Sequence, residues 1–212
     1  MLEFRNSVDS VEDAESMKLR KRVQKGLKRN ELDVFRCGLT SLDIPAFYQL
    51  NFENITLLNV GWNGLSKLDL SQFRYLNTLD ISGNVFEELP ADMRSSCPSL
   101  ASLNAASNKL ISLEDVQFPS TLLWIDLSCN KIECLHGSVV ASWKRVKHLS
   151  IQENKLAFLP KECKKWTAMQ FCNLRGNLLT EFPSAVSGWK SLIQLDVSHN
   201  CLTSLPSDLK CC

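Results

Sequence analysis

One pattern returns eight times along this 212-residue chain: L-x-x-L-x-L-x-x-N-x-L, with Ile, Val, Met, Ala or Cys admitted at the apolar places. Its asparagine place falls at Cys37, Asn63, Asn84, Asn108, Asn130, Asn154, Asn177 and Asn200, at successive intervals of 26, 21, 24, 22, 24, 23 and 23 residues. The clearest copies read LNTLDISGNVFEELP, LLWIDLSCNKIECL, VKHLSIQENKLAFLP and LIQLDVSHNCLTSLP. A unit of twenty-odd residues cannot bury its own apolar face, so its neighbours must stack on it. That constrains the fold more tightly than composition does.

Each unit divides into two halves. The L-x-L core alternates with a period of two and predicts a short strand. In the last full copy Leu195 and Val197 point inward, while Gln194, Asp196 and Ser198 face outward. Successive strands should pair in parallel at roughly 4.8 Å. The asparagine follows the strand, where the chain turns back, and its amide can both donate to and accept from unpaired backbone groups. Asn63, Asn84, Asn108, Asn130, Asn154, Asn177 and Asn200 are therefore predicted to form a buried ladder, with Cys37 departing from it in an atypical terminal copy.

The second half carries Leu-Pro or Phe-Pro at 89–90, 159–160, 182–183 and 205–206. Apolar places then follow at helical spacing, as in Cys163, Trp166 and Met169 or Val186, Trp189 and Leu192. This predicts an α/β solenoid, a horseshoe with a parallel sheet on its concave face and short helices or 3-10 turns on its convex face. The register makes Trp143, Trp166, Trp189, Cys163 and Cys172 core residues.

Residues 1–30 fall outside the pattern. Acidic residues near Ser10–Asp13, then Lys18, Arg20, Lys21, Arg22, Lys25, Lys28 and Arg29, match the polarity of a helix dipole. Leu19, Val23 and Leu27 would line one face, so residues 1–30 are expected to form a charged helix capping the repeat domain at 31–212. A basic import or phospholipid-binding patch is the sharper rival, but a charge run is usually a solvated face. At the other end Leu209 and Cys212 match Val186 and Trp189, so the chain is expected to stop in mid-repeat, as a fragment would. The rival there, a lipidated Cys211-Cys212 tail, would bring in a membrane.

These repeats, continuous after Asn30, resemble the leucine-rich-repeat family. The missing cysteine-rich flanks and the L-P-x-x-L units are similar to its intracellular class, which includes Ras-pathway and cell-polarity scaffolds and the repeat segment of ROCO-type leucine-rich-repeat kinases. The resemblance implies a protein-binding scaffold in signalling, or alternatively a regulatory segment of a larger kinase and GTPase. The cysteines point the same way: nine are spread along the chain, several at apolar places, as in a reducing compartment. A cytoplasmic location is expected, with the nucleus as the alternative, and the sequon Asn54-Ile55-Thr56 is read as unused.

A net charge of +1 gives no bulk attraction to nucleic acid or acidic lipid. Phosphate loops, zinc-protease signatures and nucleophile elbows are missing, so no catalytic residue, cofactor, metal or small-molecule substrate is expected. The outward strand places supply the candidate site. One column holds Glu31, Leu57, Thr78, Ser102, Trp124, His148, Phe171 and Gln194, which sets Trp124, His148 and Phe171 side by side. Adjacent exposed aromatics anchor protein interfaces, although they could instead only stiffen the sheet. Asp126 and Asn173 lie in the next outward column, and Gln152, Glu153 and Arg175, with His199, would frame the patch. Phe35, Arg36 and Trp62 form a second cluster nearer the N-terminus. The acidic column disfavours RNA.

Overall fold

A computed structural model describes residues 14–42, 51–183, 186 and 188–205. The expected helix start at Ser10–Asp13, and Pro206, Leu209, Cys211 and Cys212, lie outside the described residues.

Among the described residues, eight three-residue strands follow one another as β1 (Glu31–Asp33), β2 (Leu57–Asn59), β3 (Thr78–Asp80), β4 (Ser102–Asn104), β5 (Trp124–Asp126), β6 (His148–Ser150), β7 (Phe171–Asn173) and β8 (Gln194–Asp196). They form a single parallel sheet in sequence order. No register slips anywhere, so first, second and third strand positions each make a continuous row. The second row points inward: Leu32, Leu58, Leu79, Leu103, Ile125, Leu149 and Cys172 are all buried. A second inward residue follows each strand, from Val34 and Val60 through Ile81 and Ala105 to Leu127, Ile151 and Leu174. Repeats at constant interval thus wind around one shared interior, and the fold is a leucine-rich-repeat solenoid.

The asparagine ladder takes the predicted form. Asn130 Nδ2 donates to the carbonyls of Ala105, Leu127 and Ser128 at 3.0–3.1 Å, while its Oδ1 accepts from the Leu110 N–H at 3.0 Å. Each amide ties its own turn to the repeat before it. At the first copy Cys37 cannot supply such a fork. Asn63 reaches back instead, and its Oδ1 accepts from the N–H groups of both Cys37 and Leu39 at 2.9 Å.

The convex layer is less helical than the periodicity predicts, and repeat length explains where helices form. The 24-residue intervals ending at Asn108 and Asn154 contain the helices α2 (Met93–Ser96) and α3 (Gly137–Ser142). The 23-residue interval ending at Asn177 contains a 3-10 helix over Lys161–Lys165. The 21- and 22-residue intervals ending at Asn84 and Asn130 return in turns and extended chain. An α-helix advances about 1.5 Å per residue and a 3-10 helix about 2.0 Å, so the shorter units must span the same width with straighter backbone. Beneath this layer Trp143, Trp166 and Trp189 stack in succession with centroids 6.0 and 5.4 Å apart, and Phe118 and Phe182 close the two ends edge-on.

The N-terminal helix precedes the sheet as α1 (Ala14–Leu27). Val23 is buried at 1% exposure, and Leu19 and Leu27 pack on the same core. Arg22 binds Asp33 at 3.0 Å and donates to the Phe35 carbonyl at 3.1 Å, which fixes the helix against the first repeat. Gly26 permits the close approach, since a Cβ there would meet the Glu31 carbonyl oxygen at 2.5 Å.

Candidate interaction surface

The first strand row forms the outer floor of the horseshoe. Trp124, His148 and Phe171 are direct cross-strand neighbours on β5, β6 and β7, half-exposed and in register. The His148 and Phe171 rings stack at 4.6 Å with planes 11° apart. His148 and Phe171 therefore pack on one another as cross-strand pairs do, and all three side chains keep part of their surface exposed. They border a hollow of about 180 Å³ that extends over Asn173 and reaches Gln194 and Asp196 on β8.

The third strand row has a structural duty that the sequence only hinted at. Asp33, Asn59, Asp80, Asn104, Asp126, Asn173 and Asp196 each accept, through Oδ1, the backbone N–H two residues further on. This local turn closes the strand, so an acid or amide belongs there whatever the partner. Further bonds link the row sideways. Asn104 donates to Asp80 Oδ2 at 3.0 Å, and Asn173 donates to Gln152 Oε1 at 2.8 Å. Asp196 also accepts from the Ser198 hydroxyl at 2.6 Å. That hydroxyl and the Ser198 N–H are the chief causes holding the Asp196 carboxyl below the usual range, with Arg175 and His199 adding to them.

A ridge beyond the strands escaped sequence reasoning. The residue before each ladder position has positive φ: Arg36, Trp62, Gly83, Ser107, Cys129, Glu153, Gly176 and His199, at 53–64°. The sequence signal was glycine before asparagine in Ser-Gly-Asn and Arg-Gly-Asn at 82–84 and 175–177. At Arg36, Trp62 and Glu153 the side chain runs along the solenoid towards the next repeat. The Trp62 ring covers Gly83 and the Glu153 carboxylate covers Gly176, where an added Cβ would meet them at 2.7 and 2.6 Å. Glu153 also pairs with Arg175 at 3.9 Å. Of the expected frame, then, Gln152, Glu153 and Arg175 join in contacts beside the aromatic row, while His199 stands further along the ridge.

The second cluster is real and compact. The Arg36 guanidinium lies 5.3 Å from the Phe35 ring centroid and 5.0 Å from that of Trp62, whose side chain is 51% exposed. It stands near β1 and β2, whereas the aromatic row stands on β5–β7. A larger hollow of about 500 Å³ lies on the flank of the solenoid among Phe86, Leu89, Ile111 and Glu114, away from both clusters. Among the described residues no group of three or more His, Cys, Asp or Glu side chains is placed to hold a metal ion. No described helix is long and apolar enough to cross a membrane.

A parallel sheet inside, short returns outside and an amide ladder between them define the class: this is a leucine-rich-repeat protein. The Leucine Rich Repeat family model matches residues 191–212. The chain is 29% identical to Tsukushi of Gallus gallus over 73% of its own length, and 33% identical to leucine-rich repeat serine/threonine-protein kinase 1 of Mus musculus over 72%. It spans 43% of the first and 8% of the second. Among solved structures, the LRR domain of a Shigella effector superposes with a TM-score of 0.68 at 27% identity, covering 89% of this chain and 78% of that one. Leucine-rich-repeat domains in general mediate protein–protein interaction, and the curvature of such solenoids creates extended concave surfaces.

Proposed function

We propose that this chain is a non-catalytic protein-binding module that captures its partner on the concave face. The observation that carries the reading is the unbroken aromatic row Trp124–His148–Phe171, half-exposed beside a hollow on the concave face of the sheet. Aromatic side chains in a recess supply most of the energy of protein interfaces. The cluster of Phe35, Arg36 and Trp62 offers a second contact at the far end of the same molecule. Buried thiols at Cys97, Cys163 and Cys172 serve as core residues, which supports a reducing, cytoplasmic or nuclear setting and a scaffold role in signalling. The kinase resemblance supports a second reading, in which the solenoid is the regulatory segment of a larger ROCO-type enzyme and its partner is a regulator of that enzyme.

The test compares the native chain with a Trp124→Ala/Phe171→Ala double variant in quantitative partner capture, alongside thermal unfolding. Capture should be lost, with an unfolding temperature close to native. A large fall in unfolding temperature would mean that the row only stiffens the sheet, and undiminished capture would place the interface elsewhere.

A further inference from the structure

The aromatic row is not chemically symmetric. The 4.6 Å separation of His148 and Phe171 is close to the spacing of neighbouring strands, roughly 4.8 Å, so their stack runs across the sheet. His148 covers one face of Phe171, and on the side of β8 Phe171 borders the hollow that Gln194 also lines. Among the described residues His148 is its one ring partner. Across from Phe171 stands Gln194, exposed, and two residues further along β8 stands Asp196.

Asp196 is held for use rather than spent. Its Oδ1 accepts both bonds from Ser198, at 2.9 and 2.6 Å, which leaves Oδ2 without a hydrogen-bond partner among the described residues. Arg175 lies near it but is paired with Glu153 at 3.9 Å. Phe171 and Asp196 line the same hollow.

An open aromatic face beside an ionised carboxylate selects a planar, delocalised cation, which can stack and pair at once. A lysine ammonium, compact and strongly hydrated, fits the face less well. The molecule already shows this chemistry at its other end, where Arg36 sits between Phe35 and Trp62. We infer that the hollow takes an arginine side chain of the partner protein, its guanidinium stacked on the free face of Phe171 and paired with Asp196. This rests on the concave face being the capture surface.

The full chain would be titrated, by calorimetry and NMR, with acetyl-Gly-Arg-Arg-Gly-amide and with the same peptide carrying citrulline, which keeps the shape and loses the charge. The arginine peptide should shift resonances of β7 and β8 and bind at least tenfold more tightly than the citrulline peptide. Asp196→Asn and Phe171→Leu should each weaken it roughly tenfold; leucine keeps an apolar side chain at 171, and unfolding temperature verifies the fold. Equal binding of the two peptides, no binding at millimolar concentration, or indifference to either substitution would overturn the inference. If the peptide fails while the double alanine still abolishes capture, the concave reading stands and the arginine alone falls. If the peptide binds as expected while the double alanine captures normally, the concave reading is the one that falls.

Discussion

At the scale of single residues, the ladder asparagines show how one side chain does several jobs. Asn130 and Asn200 make matching sets of four bonds, but Asn130 is buried and Asn200 is half-buried near the end of the described chain. Removing either amide orphans one N–H, that of Leu110 or Leu179, and takes one donor from each of three carbonyls. At position 200 water can replace part of what is lost, whereas at position 130 it cannot. Asn130→Ala should therefore cost about 3 kcal/mol and Asn200→Ala about 1 kcal/mol, read by urea unfolding of the two variants; equal losses would show that burial is irrelevant to the ladder. These positions were legible in the sequence because each recurs at fixed phase after an apolar doublet. The positive-φ ridge was not, because Arg36, Trp62, Ser107, Cys129, Glu153 and His199 share a backbone conformation but no side-chain chemistry. Only Gly83 and Gly176 disclosed it.

At the scale of elements, the strands were readable from their period of two, while the convex returns were not readable from period alone. Cys163, Trp166 and Met169 have helical spacing, yet the segment forms a 3-10 turn because its unit is a residue shorter than those holding α2 and α3. What these returns share is the indole stack, and its hydrogen bonds are unequal. Trp166 Nε1 donates to the Val140 carbonyl at 3.1 Å and Trp189 Nε1 to that of Cys163 at 2.8 Å. The preceding unit is 22 residues long and has no helix to offer the matching carbonyl, and Trp143 Nε1 is buried without a partner among the described residues. Phenylalanine at any of the three shrinks the ring by a similar volume. At positions 166 and 189 it also removes a buried hydrogen bond, leaving the Val140 or Cys163 carbonyl with its backbone N–H donor alone, but at 143 it removes an unsatisfied donor. Trp143→Phe should be the mildest of the three variants, by about 1 kcal/mol or more, in parallel denaturant titrations. A Trp143→Phe loss as large as the others would show that indole packing alone governs the stack.

At the scale of the whole molecule, a solenoid has contacts only between neighbours, so damage should stay local. The strongest test is at the N-terminal end, where α1 covers the first repeat through Val23, Leu19 and Leu27. Val23 is nearly inaccessible, and an aspartate there would place an unpaired carboxylate against Leu32 and its neighbours. The helix should detach, since burying the charge costs several times what the contact of α1 with β1 returns, about 3 kcal/mol or more. In hydrogen exchange, Val23→Asp should lose protection at α1, β1 and β2, with the effect fading towards β5. The row on β5–β7 pairs only with its own neighbours, so its amides should exchange as in the native chain, and the arginine peptide should bind with unchanged affinity. Loss of protection spread evenly over all eight strands would mean that the stack melts as one unit, and that the concave surface depends on its distant cap as much as on the repeats beneath it.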